Sequence, residues 1–188
     1  MNSLPKDTVL IVIDVQQAFN DPSWGQRNNP DAEARIGALV AEWRTQERPL
    51  IHVHHRSPRP ASLFHPDRPG FQVKPEALPL AGEPVIYKDV NSSFIGTDLE
   101  QRLRAMGAQA LVIVGITTDH CVSTTTRMAG NLGFTTFIVS DATATFERKG
   151  PDGKHFTAQQ MHESALASLH GEFATVVDTG SVLSALRA

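Results

Sequence analysis

The chain has 188 residues, 17 lysines and arginines against 20 aspartates and glutamates, a formal charge of −3 and 40 % hydrophobic residues. This length fits one domain, 1–188, with a core large enough to stand without staples, and the near-balanced charge offers no general hold on nucleic acid or anionic lipid. The single cysteine, Cys121, excludes an intramolecular disulfide and a multi-thiolate metal site and fits a reducing, cytoplasmic setting, while no apolar run approaches the length that spans a bilayer.

Short β-branched runs alternate with helix-period segments, the pattern of βαβ units around a mostly parallel sheet buried on both faces. In chain order the reading begins with a strand at 8–13 and a helix over 31–47, with Ile36, Leu39, Val40 and Trp43 on one face. A strand at 49–54 leads into an irregular stretch, 56–82, rich in Pro, Gly and His, followed by a strand at 84–87. The helix over 98–106 opens on Thr97 and Glu100 at capping-box spacing and closes at Gly107. A strand at 110–114, a helix over 119–132 closed by Gly133, and a strand at 135–139 come next. A second long connection, 140–157, precedes a helix over 158–169, a sixth strand at 174–177 and a helix over 181–186. Connections as long as these two are usually lids or binding loops. The predicted architecture is α/β, a three-layer αβα fold with a six-stranded, mostly parallel, Rossmann-like sheet.

In an open parallel sheet, ligands bind outside the carboxyl ends of the strands. Asp14, Lys88 and Cys121 each follow an apolar strand, and together they offer a base, a cation and a nucleophile. A thiol needs little help to attack a carbonyl, and a cysteine in the first turn of a helix, capped by Thr117 or Thr118, has amides and a dipole that favour its thiolate. His120 is adjacent in sequence and so does not face Cys121 on a helix; it reads as a ligand-facing or packing residue rather than the base. An ammonium beside a carboxylate keeps the latter ionised and oriented, and the same charge favours a thiolate. His52 and His54 project to one face of their strand and His55 to the other, which leaves a two-histidine start short of the three protein ligands usual for catalytic zinc. The expectation is therefore no metal and no cofactor. No G-x-G-x-x-G fingerprint, P-loop or G-x-S-x-G elbow is present. Phe19, Trp24, Phe64, Tyr87, Phe94 and Phe146 are candidate pocket walls for a planar or apolar part of a small ligand.

Val12-Ile13-Asp14-Val15-Gln16, Lys88 before Asn91-Ser92-Ser93-Phe94, and above all Gly115-Ile116-Thr117-Thr118-Asp119-His120-Cys121-Val122 resemble the isochorismatase-like cysteine hydrolases, the group that includes nicotinamidases and N-carbamoylsarcosine amidases. The resemblance spans about residues 8–178 in order. It implies a six-stranded parallel sheet, a catalytic triad of Asp14, Lys88 and Cys121, and a non-proline cis peptide at Ile116-Thr117 that turns the amides of Thr117 and Cys121 toward an oxyanion. It also implies a homodimer or homotetramer. The sequence departs from nicotinamidases in lacking the aspartate of their Asp-x-His metal motif after the second strand, where Ile51-His52-Val53-His54-His55 stands. The implied activity is hydrolysis of a small amide, ureide or related C–N bond through a thioester. Two alternatives stay open on the residues alone, a non-catalytic binding or redox-sensing module on the same fold and a metal-assisted hydrolase using His52, His54 and His55.

Overall fold

A computed structural model describes residues 3–188. Six strands form one sheet in which every neighbouring pair is parallel: β1 (Val9–Ile13), β2 (Leu50–His55), β3 (Val85–Lys88), β4 (Ala110–Ile116), β5 (Thr135–Ala144) and, after a two-stranded hairpin of β6 (Arg148–Lys149) and β7 (His155–Phe156), β8 (Thr175–Val177). The order across the sheet is β3-β2-β1-β4-β5-β8, so the winding reverses between β1 and β4. A crevice opens at such a reversal because the connections leave in opposite directions.

The helices are α1 (Ala32–Thr45), α2 (Leu99–Ala105), α3 (Ser123–Asn131), α4 (Ala158–Leu169) and α5 (Thr179–Arg187). Side-chain alternation along β1 divides the core between the two faces. Leu10 and Val12 join Ile36, Leu39, Val40 and Trp43 of α1 and Val182, Ala185 and Leu186 of α5. Val9, Ile11 and Ile13 join Leu99 and Leu103 of α2, Val122, Ala129 of α3 and Leu169 of α4. Trp43 is wholly buried and its indole N–H donates to the Thr8 carbonyl at 3.2 Å, so one residue both fills the layer and satisfies its own polar atom. Truncating a side chain of that size in a packed core costs about 3–5 kcal/mol. No helix among the described residues is long and apolar enough to cross a membrane.

Three local expectations differ from the structure. Thr97 lies one residue outside the α2 cap, which is Asp98; its hydroxyl donates to Ser93 and accepts from the Leu99 amide, while Glu100 pairs with Arg104, so no capping box forms there. The box is at Thr157 and Gln160, opening α4. The segment after Val139 is no loop at first: β5 runs on to Ala144 because a register shift beside Gly115 brings Thr143 and Ala144 opposite the end of β4. The helix expected over 119–132 starts as a wide π turn, Thr118–Val122, before continuing as α3.

Candidate active site

The C-terminal lip of the sheet is shaped by two unusual backbone positions. Asp14 leaves β1 at φ 53, its amide donating to the Val53 carbonyl at 2.8 Å and its carbonyl accepting from Gln16 at 2.8 Å. Left-handed backbone is costly for most side chains and tolerated best by Asp and Asn, so the chain turns sharply here and leaves the carboxylate at the crevice. Opposite Ile13 on β4, Gly115 has φ +135, and a Cβ there would sit 2.0 Å from the Ile13 carbonyl oxygen. Only glycine allows β4 to pass so close to β1.

Lys88 ends β3 with its side chain fully buried. Its Nζ donates to Asp14 Oδ2 at 2.7 Å, His55 Nδ1 at 3.2 Å and the Val90 carbonyl at 3.2 Å, which satisfies all three ammonium protons. Burial works against the charge, but Asp14 and Cys121 outweigh it and hold Lys88 above its ordinary range. His55 goes the other way: burial, then the neighbouring ammonium, lower it and favour the neutral ring that Nδ1 acceptance requires.

Cys121 lies in the π turn, half-buried. Its sulfur, a carboxylate oxygen of Asp14 and a ring nitrogen of His55 lie within 4.8 Å of one another. Asp14 Oδ1 is buried without a hydrogen-bond partner among the described residues, an acceptor left over in the carboxylate that Lys88 holds. Burial pushes the Cys121 thiol up, Asp14 adds to this, and Lys88 offsets only part of it. Burial and the carboxylate thus act against the helix start and the ammonium, both of which favour a thiolate. The Ile116-Thr117 peptide bond is cis. The Thr117 carbonyl accepts from the His120 and Val122 amides, both at 3.2 Å, and not from the Cys121 amide between them. The turn is held from outside by Thr118, whose hydroxyl is 2.9 Å from His162 Nδ1, and by Asp119, which accepts from Thr145 and faces Arg148.

The cavity above the sulfur has a volume of about 250 Å³. Asp14, Thr117 and Cys121 line it together with Phe19, Trp24, Phe64 and His120, as expected from the sequence. The other aromatic expectations fall elsewhere. Phe146 is buried behind the wall, stacked 5.9 Å from Phe19 and 5.4 Å from Trp24, and supports the lining rather than joining it. Tyr87 is on the opposite side of β3 from Lys88, 47 % exposed and stacked on Phe71, because neighbouring residues on a strand point to opposite faces. Phe94 packs on Phe134 in the core.

His55, Arg59, Ser62, Leu63 and Asn91 line the cavity and were not singled out as walls from the sequence. His55 was marked by strand alternation as pointing away from His52 and His54; its approach to Lys88 follows from the pairing of β2 with β3, which is not written locally. The loop residues carry no period that could have marked them. His52 instead bonds Glu83 at 2.8 Å and His54 packs against Tyr87, so the three histidines do not converge. Asp14, His55 and Cys121 could offer ligand atoms to a metal, yet the Lys88 ammonium already stands between Asp14 and His55 and would repel a second cation.

Comparison with known proteins agrees over nearly the whole chain. The family model of the isochorismatase domain matches residues 8–181. The isochorismatase family protein YrdC of Bacillus subtilis is 47 % identical over 175 residues, covering 93 % of this chain and 94 % of that protein. A crystal structure of an isochorismatase family protein from Chromobacterium violaceum is similar with TM-score 0.97 and 43 % identity, over 100 % of this chain and 97 % of that one. An isochorismatase from Pseudomonas putida gives TM-score 0.89 and 32 % identity, over 97 % and 93 %.

Proposed function

The chain belongs to the isochorismatase family of hydrolases, and from that premise we propose that it cleaves a small amide, ureide or related C–N bond with Cys121 as nucleophile, Asp14 as general base and Lys88 as the fixed cation. The observation that carries this reading is the meeting of the three groups from β1, β3 and the turn after β4 beside one cavity, with the Asp14 carboxylate within reach of the sulfur and one of its oxygens unpartnered.

In this mechanism Asp14 accepts the Cys121 proton as the sulfur attacks the substrate carbonyl, so a thiol with a raised pKa becomes a nucleophile only when a substrate is present. The tetrahedral oxyanion accepts hydrogen bonds from the amides of Thr117 and Cys121, each such donor contributing about 3 kcal/mol, or about a hundredfold in turnover. Asp14 returns the proton to the departing nitrogen, the C–N bond breaks, and ammonia or an amine leaves behind a thioester. A water molecule deprotonated by the same carboxylate attacks the thioester, and the thiolate takes the proton back as the acid departs. Lys88 keeps Asp14 ionised and in place throughout. The same reading includes a cytoplasmic setting and a homodimer or homotetramer, checked by light scattering of the purified protein.

The test is ammonia release from a panel of small amides and ureides by wild type, Cys121→Ala and Cys121→Ser in parallel. Release by wild type alone, with an acyl-enzyme mass trapped after acid quench, is the expected result. Release that survives Cys121→Ala overturns the mechanism.

A further inference from the structure

The arginines of this chain have partners. Arg27 pairs with Glu33, Arg35 with Asp141, Arg44 with Glu83, Arg56 with Asp89, Arg102 with Asp98, Arg104 with Glu100, Arg148 with Asp119 and Arg187 with Glu42. Arg48 and Arg68 donate to backbone carbonyls, and Arg127 lies over the Phe173 ring. Arg59, an exposed residue, alone among the described residues has a guanidinium with no hydrogen bond, ion pair or ring contact, and it contributes to the lining of the cavity over Cys121. Its backbone is nonetheless fixed: its amide donates to Ser57 Oγ at 3.3 Å, its carbonyl accepts from Ser62 at 2.9 Å, and Ser57 is itself buried and tied to Phe64.

The charge of the cavity points the same way. The one carboxylate in the lining, Asp14, is neutralised by Lys88, and burial and Lys88 favour the neutral form of His55. The Arg59 charge is left uncompensated at the exposed edge of a cavity whose wall mixes Phe19, Trp24, Leu63 and Phe64 with the polar Ser62, Asn91 and His120. A fork of guanidinium donors with no internal acceptor is suited to a planar anion.

We propose that Arg59 is a specificity-determining residue that binds a carboxylate on the substrate, and that the substrate is a small half-amide, with the scissile carbonyl at Cys121 and an anionic carboxylate at its other end. This rests on the amide-hydrolase reading and names its substrate class. A cavity of about 250 Å³ suits a small ligand, so short spacers are the first to test.

The experiment uses protection of Cys121 from iodoacetamide at alkaline pH, where the thiolate forms, and needs no turnover, with matched pairs of probes: malonamate, succinamate and glutaramate against their neutral diamides. In wild type at least one half-amide protects at a concentration about 10- to 100-fold below its diamide, the range expected of a charge-assisted pair. In Arg59→Gln that ratio falls to about one, and Arg59→Lys retains part of it. Where ammonia release can be followed, the same ratio appears in KM while kcat changes little. A wild-type ratio near one at every chain length, or a ratio kept in Arg59→Gln, overturns the assignment. Absence of any ammonia release would count against the hydrolase reading alone, since protection is read without it.

Discussion

Lys88 Nζ and Asp14 Oδ2 are 2.7 Å apart, with side chains 0 % and 1 % exposed. A buried pair of this kind adds little net stability over an apolar pair, but removing one member strands the other. Lys88→Met is therefore expected to lower stability by about 3–5 kcal/mol and abolish turnover. Adding Asp14→Asn in the same molecule should restore much of the stability and none of the activity. Denaturant midpoints of the two single variants and the double variant measure this, and a Lys88→Met protein as stable as wild type would refute it.

The raised pKa of Cys121 has a spectroscopic consequence. With one cysteine in the chain, the thiolate absorbance near the ultraviolet edge, taken as wild type minus Cys121→Ala, should be absent at neutral pH. It should grow in only on the alkaline side of the ordinary thiol range, because burial and then Asp14 favour the neutral thiol. A full thiolate signal at pH 7 would contradict the assigned resting state.

Gly115→Ala places a carbon 2.0 Å from the Ile13 carbonyl at a backbone angle of φ +135. Relief requires β1 and β4 to part next to Asp14. We expect a loss of about 3 kcal/mol or more in stability and loss of turnover even under conditions where the variant is folded. Circular dichroism melting with parallel activity assays decides it.

Gln16 has no exposed surface and makes three hydrogen bonds: its Nε2 donates to the carbonyls of His55 at 3.1 Å and Phe71 at 2.9 Å, and its Oε1 accepts from the His55 amide at 2.8 Å. It ties the end of β2 to the long loop that carries Arg59. Gln16→Leu should cost about 2–4 kcal/mol, since buried backbone groups lose their partners, and should raise KM more than it lowers kcat. Limited proteolysis should cut the variant within 56–82 first.

Acid sensitivity should begin well above the carboxylate range. Burial, and then His52, lower His54 to about 4 from 6.5. The unfolded chain therefore binds this proton first, so the stability contributed by neutral His54 is complete above pH 6.5 and is lost as pH falls toward 4, by roughly 3 kcal/mol. Glu33 and Glu83, each lowered to about 2 from 4.5, extend the loss below that. Of their causes, burial leads for Glu33 but is outweighed by Arg27 and Lys74, and the Arg44 hydrogen bond leads for Glu83. His54→Phe should flatten the upper part of the curve, between pH 6.5 and 4, and leave the lower part in place.

Much of the fold was legible because its signals are local. α4 spans 158–169 as its periodicity predicts, and Gly107 and Gly133 take positive φ just beyond their helices. Asp14, Lys88 and Cys121 were visible as polar residues following apolar strands, and the crevice rule then placed them on one lip of the sheet. What stayed hidden depends on pairing between distant segments. β5 continues past Val139 only because β4 offers a partner there, and Thr97 fails to cap because its hydroxyl is taken by the preceding turn. Tyr87 and Phe94 looked like walls because aromatic identity does not say which side of a strand, or of the turn after it, faces the cavity. Arg59, Ser62 and Leu63 lie in a segment without period, where position follows from bonds to Gln16, Ser57 and Phe64 and not from spacing.

β3 is the border of the sheet, the place where a parallel array ordinarily begins to fray, and yet its last residue reaches over β2 to grip the acid beyond β1. Peeling that border away would draw an ammonium out of the protein's interior and strand the Asp14 carboxylate behind it. On the proposed mechanism, loosening of the rim would take the fixed cation from the acid, so fraying and loss of turnover are expected together.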